Sequence, residues 1–528
     1  MTMKIYRIMP LPSSVEYGDA EFEFGKVALE GEGFEERYLT RMLLPEAEFV
    51  RPEEADEKTL VVSRHRNGAL HDEGCEIRIK GGRVDIACGA KGLLYAYVTL
   101  AQILEQADDK VRDVFVKDSP LCKYRGMMLD TARYFIPVDD VRRMADLCVL
   151  HKLNAIHLHL TDDQGWRLES DAYPKLHRKG SRRSHTNFDR KPHEGYYTKA
   201  EMRGILQYCA ERNIAVMPEI DMPGHMRAAL ACYPELGCFG RQLPVATHSG
   251  VKHDILCAGK ESTFDFVFRV LDEVAELFRG YTEYIHIGGD EAPKMRWDIC
   301  PDCRKRMLKE GLADSERLQG WFMKRVAEHV VGLGFKPVVW NEACMKGVMP
   351  SDTVWQFWHT DGISAEETYA DANATGGMIN SDSAYAYLDL PYGQISLKKS
   401  YEFEPKPKAL SEGKALGGEM QLWGEYIPDQ KTRLKRCLPR SCALAEKMWS
   451  AAESGYGDFR DRLEAFEDFL EERHFEGEDN EKVYDPDKAR GTLQKLWFER
   501  RQLHWEGLHN LIDDARVAKK YNTDKTSK

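Results

Sequence analysis

No stretch of this chain approaches the roughly 20 consecutive apolar residues that a membrane-spanning helix requires, so the sequence excludes a helical membrane anchor within it. Met1–Ser14 has no apolar core of the kind a secretory signal needs, and the expected setting is cytoplasmic. Basic clusters are also missing. The formal charge is −12 and the isoelectric point about 5.9, which argues against nucleic acid or an anionic lipid surface as partner. Thirteen cysteines spread over 528 residues are too sparse for a disulfide framework and suit a reducing compartment. Cys300-Pro-Asp-Cys303 is the one close pair. It reads as half a zinc site, a disulfide or two ordinary thiols, and without a second pair two ordinary thiols are expected, with no metal or cofactor.

The most informative stretch is Ile-His-Ile-Gly-Gly-Asp-Glu at 285–291. An apolar alternating run reads as a buried strand. The two glycines then let the backbone leave the sheet or approach a ligand closely. Asp290 and Glu291 follow as adjacent carboxylates, whose like charges push at least one pKa upward. A raised carboxyl pKa is what a general acid needs near neutral pH.

Residues 1–118 mix short strand-like runs (59–63, 75–80, 84–88) with a helical stretch at 92–106, the pattern of a small α+β domain. From Tyr124 onward, β-rich runs alternate with amphipathic segments. Strands are expected at 126–130, 155–160, 215–220, 284–287, 337–340, 353–358, 377–381 and 419–423. Helices are expected at 138–150, 199–212, 262–278 and 315–333. This alternation fits a (β/α)₈ barrel over 119–472. A doubly wound sheet is the competing architecture, but the Gly-rich phosphate loop that would mark it is missing. Residues 473–528 form a charged C-terminal extension with helical spacing of Leu493, Trp497, Leu508, Leu511 and Ile512. It packs on the barrel or on a second subunit in a homo-oligomer, and 522–528 reads as a disordered tail.

Barrel active sites lie at the C-terminal ends of the strands. Those ends carry Arg133, Asp162, His225, Asp290, Glu291, Trp340, Trp358, Tyr387, Asp389, Trp423 and Glu425. Aromatic faces beside carboxylates and an arginine make a sugar site, the rings stacking on a pyranose and the polar groups binding its hydroxyls. A standard retaining glycosidase sets its carboxyls about 5–5.5 Å apart across the scissile bond. Two neighbours on one strand end do not flank a bond that way. A 2-acetamido sugar, which attacks its own anomeric carbon, removes the need for a protein nucleophile.

His286-Ile-Gly-Gly-Asp-Glu291 resembles the signature of glycoside hydrolase family 20, the β-N-acetylhexosaminidases. The blocks at 124–133, 152–164, 218–225, 339–342, 387–389 and 422–425 are similar to family blocks as well. The resemblance implies roles. Glu291 would be acid and then base, Asp290 would orient the acetamido N–H and stabilise an oxazolinium, and Tyr387 would bind the acetamido oxygen. Arg133 and Glu425 would hold the 3- and 4-hydroxyls, Asp389 the 4- or 6-hydroxyl, and Trp340, Trp358 and Trp423 would wall the pocket. Asp162 and His225 resemble a supporting pair. The implied partner is an oligosaccharide or glycoconjugate ending in N-acetylhexosamine. The rival readings are a metal-dependent barrel hydrolase using His157 and His159, which face one way on a strand, and a non-catalytic sugar-binding barrel.

Overall fold

The computed structural model describes residues 5–186, 190–343, 348–478, 481–502, 515–517 and 519. Eight parallel strands close into a barrel: β1 (Tyr124–Asp130), β2 (Ala155–His159), β3 (Ala215–Glu219), β4 (Tyr284–His286), β5 (Lys336–Trp340), β6 (Val354–Phe357), β7 (Gly377–Asn380) and β8 (Ala415–Leu422). The expected (β/α)₈ architecture is present, and all eight strands overlap the runs where the alternation placed them. Val138–Leu150, Lys199–Ala210, Glu261–Phe278 and Ser315–Gly332 are helices, each turning its apolar stripe onto the barrel. Thr198 and Glu201 start the second of these with a capping box.

β8 begins four residues before the expected start at Glu419. The Gly417-Gly418 pair hid it, because glycines read as a turn in sequence. Here Gly417 has φ +146°, and a Cβ on it would lie 1.9 Å from the Tyr124 carbonyl oxygen of β1. The glycine lets the first and last strands meet and the barrel close.

The barrel interior is layered. At the bottom, each strand gives one residue to an apolar plug: Tyr124, Ala155, Met217, Tyr284, Val338, Val354, Ile379 and Leu416. The layer above is polar and fully buried, with His157, Glu219, His286, Trp340, Gln356 and Glu419. Gly126 of β1 makes room in it, since a Cβ there would sit 2.8 Å from Glu419.

The N-terminal domain is a seven-stranded sheet covered by the buried helix Gly92–Ala107. Four of its strands were not expected. Ser14–Glu23 is an acidic edge strand and Lys110–Asp118 carries mixed charge, so neither shows the apolar signature of a core strand, while Lys26–Leu29 and Phe49–Val50 are only four and two residues long. Buried ion pairs fasten this domain to the barrel. Arg125 forks onto Glu73 at 2.8 and 3.0 Å, and Lys152 meets Asp118 at 2.6 Å.

The C-terminal extension forms a helix at Lys488–Gln502. Leu493 and Trp497, expected to pack on the barrel or on a second subunit, are 67% and 55% exposed in the single chain. Phe498 packs instead, its ring 5.1 Å from that of Tyr426. Leu508, Leu511, Ile512 and the tail at 522–528 lie outside the described residues. No helix among the described residues is long and apolar enough to cross a membrane.

Candidate active site

The C-terminal strand ends enclose a cavity of about 610 Å³. All the expected site residues but one line it: Arg133, His225, Asp290, Glu291, Trp340, Trp358, Tyr387, Asp389, Trp423 and Glu425. Asp162 lies just beneath. Its Oδ1 is 3.3 Å from His225 Nδ1, and its Oδ2 is 2.7 Å from the Arg133 guanidinium. Opposed by burial but drawn down by Arg133 and His225, Asp162 stays ionised far below the usual carboxylate range.

Beneath the cavity, the polar layer acts as a charged floor. Glu219 at the tip of β3 meets His157 at 3.2 Å and His286 at 3.0 Å, contacts His159, and accepts the Trp340 indole N–H at 2.9 Å. Burial works against the charge of Glu219, and the three imidazoles around it hold its pKa well below normal. Glu419 of β8 is similarly held by His157 at 3.0 Å and by Gln356 and Gln421. A buried charge is tolerated only when paired in this way.

The order strand, Gly288, Gly289, Asp290, Glu291 has a steric basis. Gly288 and Gly289 have φ of +66° and +107°, and a Cβ would lie 1.7 Å from Asp221 at the first and 2.2 Å from Ala343 at the second. Only glycine fits such positions. Glu291 is itself left-handed, with φ +44°. In an extended chain, neighbouring side chains point to opposite faces. The left-handed turn instead brings both carboxylates to His225, whose Nε2 is 3.6 Å from Asp290 and 3.5 Å from Glu291. Strained backbone of this kind gathers at functional sites.

The two acids are not equivalent. Burial, reinforced by the charges of Glu219, Glu291 and Glu342, lifts Asp290 to about 7 against the pull of His225. Glu291 is nearer the rim, its side chain 41% exposed. Burial raises its pKa too, but the hydrogen bond and charge of His225 bring it below its ordinary value. His225 loses stability as a cation through burial yet is held protonated, its pKa well above normal, by Asp162, Asp290 and Asp221. The expected upward shift therefore falls on Asp290, whereas the resemblance assigns the acid role to Glu291.

One side of the cavity is an aromatic box. The Trp340 ring lies 6.5 Å from Trp358 and 5.9 Å from Trp423, and Tyr387 stacks on Trp358 at 12°. Burial raises the Tyr387 pKa well above 10, so its hydroxyl stays a neutral donor. At another side, Arg133 approaches Glu425 at 3.8 Å and lies over the Trp423 ring. Burial and the nearby Glu425 push Asp389 up to about 8. Asp290 Oδ1, Asp389 Oδ1 and the Trp358 indole nitrogen are buried without a protein hydrogen-bond partner. Buried polar atoms are nearly always paired, and these three belong to residues that line the cavity, where they are open to a polar ligand.

Sequence reasoning missed several parts. Ser249, Gly250, Val251 and His253, from the long loop after β3, wall the cavity, as do Tyr426 and Phe498. Tyr426 directly follows Glu425 after β8, but the others lie at no strand end and no local pattern marks them. His157 and His159 do both face inward, as the metal-hydrolase rival requires. They sit in the floor network, however, and neither borders the cavity. The premise behind reading Cys300 and Cys303 as two ordinary thiols also fails, because Cys238 and Cys257 stand beside them.

A closed (β/α)₈ barrel with paired acids and an aromatic box at its C-terminal mouth defines a carbohydrate-active barrel enzyme. Residues 122–452 match the profile of glycosyl hydrolase family 20, catalytic domain, and 5–119 match domain 2 of the same family. The chain belongs to glycosyl hydrolase family 20. It is 38% identical over 421 residues to a beta-hexosaminidase of Porphyromonas gingivalis, covering 75% of this chain but 53% of that protein. It is 34% identical to the beta-hexosaminidase of Akkermansia muciniphila, over 73% of this chain and 81% of that one. The solved beta-N-acetylhexosaminidase of Bacteroides fragilis superposes with a TM-score of 0.75 at 31% identity, covering 89% of this chain and 96% of that one.

Proposed function

We propose that this protein is an exo-acting, retaining β-N-acetylhexosaminidase. It removes terminal β-linked GlcNAc or GalNAc from oligosaccharides or glycoconjugates by substrate-assisted catalysis. The observation that carries this reading is the convergence of Asp290 and Glu291 on one imidazole, His225. Both acids serve one face of the reaction, so the nucleophile comes from the sugar. The acetamido oxygen attacks the anomeric carbon while Glu291 gives its proton to the departing oxygen. Asp290 accepts the acetamido N–H and balances the positive charge of the oxazolinium, and Tyr387 holds the acetamido oxygen. Water then attacks the anomeric carbon, Glu291 takes the proton back, and the ring opens with the β configuration retained. None of the twelve described cysteines is in a disulfide, which supports a reducing, cytoplasmic setting.

The test is release of sugar from paired GlcNAc and GalNAc β-glycosides, with the first-formed anomer followed by NMR. Initial α product, or a sugar trapped covalently on a protein carboxylate, contradicts the mechanism.

The proton inventory predicts a pH profile. Catalysis needs one proton on the Asp290–Glu291 pair, located on Glu291. In the free enzyme Asp290 holds it, retaining it up to about 7. An acetamido N–H on Asp290 favours its ionised form, and a sugar over Glu291 removes water from it, so substrate moves the proton to Glu291. As pH rises through about 7 the pair loses its proton, and kcat/KM for a glycoside with a poor leaving group falls. In Asp290→Asn the proton must reside on Glu291 alone, whose pKa is lowered. The alkaline limb then moves to lower pH, and an unmoved limb counts against the shared proton.

Glu425→Ala is expected to raise KM and also lower kcat, because contacts with a remote hydroxyl position the ring for attack. On a chitin-type oligomer the native protein releases only the terminal monosaccharide. Internal oligosaccharide products are incompatible with the exo reading.

A further inference from the structure

The long loop after β3 contains Cys238 and Cys257, and the loop after β4 contains Cys300 and Cys303. Their four sulphurs all lie within 4.8 Å of one another. Cys238 is 3.8 Å from Cys303, while Cys257 is 3.8 Å from Cys300 and 3.6 Å from Cys303. A disulfide requires about 2.05 Å. Four thiolates placed tetrahedrally about zinc at about 2.3 Å stand about 3.8 Å apart. These three separations match the edge of that tetrahedron, and all six lie within 4.8 Å.

The surrounding backbone holds the sulphurs there. Cys300 caps the helix Pro301–Glu310, with proline at its first position, and Cys303 lies one turn in. A C-x₂-C pair at a helix start is a common half of a zinc site, and the positive helix end favours thiolate. The other half is a narrow ladder. Gly237 bridges Leu256, and the Cys257 N–H donates to the Leu236 carbonyl at 2.9 Å. The halves lock through Gly259, where a Cβ would lie 2.2 Å from the Asp302 carbonyl carbon and 2.4 Å from the Cys303 nitrogen. The Trp297 indole donates to the Leu256 carbonyl at 2.9 Å.

We propose that Cys238, Cys257, Cys300 and Cys303 bind one zinc ion in a closed, four-thiolate structural site that clamps the loop after β3 to the loop after β4. Four sulphur ligands leave no open position for water, so the ion has no part in hydrolysis. Each liganding thiol loses its proton to solvent on loading. The clamp matters because of what its loops carry. Between Cys238 and Cys257 runs the segment with Ser249, Gly250, Val251 and His253 on the cavity wall, and just before Cys300 stand Asp290 and Glu291. The described part of that segment contains no helix or strand of its own, and a loop of this length in a compact domain needs an anchor.

Elemental analysis of the purified full chain, with mercurial titration of thiols and a colorimetric zinc indicator, should find one zinc per chain, released as the thiols react. Cobalt in its place should show the thiolate charge-transfer bands and intense visible absorption of a tetrahedral tetrathiolate. Cys257→Ser and Cys300→Ser should lose the metal. Cys209→Ser, a buried cysteine outside the cluster, should keep it and controls for folding. Metal removal should lower Tm and raise KM several-fold. A metal-free protein with four reactive thiols overturns the proposal, as does a mass short by the hydrogens of a disulfide among these cysteines, or iron in place of zinc. Apart from KM, these readouts do not depend on the hexosaminidase reading, which is assayed separately.

Discussion

Asp290→Asn should abolish nearly all turnover of a β-N-acetylhexosaminide while leaving the fold intact. In the native enzyme, a β-glucoside lacking the 2-acetamido group should be inert for the matching reason. The asparagine is nearly isosteric, so the change is in charge. Positive charge develops on the oxazolinium in a site where Asp290 is buried and its Oδ1 has no protein partner. Preorganised electrostatic groups of this kind contribute about 10²–10³-fold each when removed singly. A carboxylate facing a full positive charge belongs at or above the top of that range. Asparagine also leaves its amide able to present N–H to N–H, which misorients the acetamido group. A thiazoline analogue of the intermediate should inhibit the native protein strongly and the variant weakly. Equal inhibition of both, or native turnover of the plain glucoside, would remove Asp290 and the acetamido group from the mechanism together.

Glu291→Gln should cost about 10²–10⁴-fold on natural glycosides, the usual worth of general acid catalysis. The loss should shrink sharply for an activated phenolic leaving group, which departs without a proton. Because glutamine keeps the shape of the side chain and the Glu291 N–H bond to Glu342 is made by backbone, sugar binding should persist. A direct binding measurement against an unreactive analogue checks this. Losses of the same size on both substrate types would place Glu291 outside the acid role.

Much of this was legible in the linear chain because a (β/α)₈ barrel writes itself locally. Each strand is a short buried run and its active residues follow it directly, so Trp340, Asp290 and Trp423 sit beside the strands that aim them. The Gly288-Gly289 turn was readable for the same reason, its steric need belonging to adjacent residues. Strands that carry charge on an edge, such as Ser14–Glu23, gave no such signal.

The amino-acid pattern alone thus determined the barrel, the small domain before it and the strand-end residues among those that line the cavity. The tertiary structure decided what depends on groups far apart in the chain. It placed Glu219 among three histidines from two other strands, and put the raised pKa on Asp290 rather than on its neighbour. It brought Phe498 to the pocket from the C-terminal helix. It also joined Cys238 to Cys303, 65 residues away. Local periodicity reports which face of an element is buried. Which charges and thiols then meet depends on the closure of the barrel and the paths of its long loops, and a carboxylate's pKa is set by all the groups that closure brings around it.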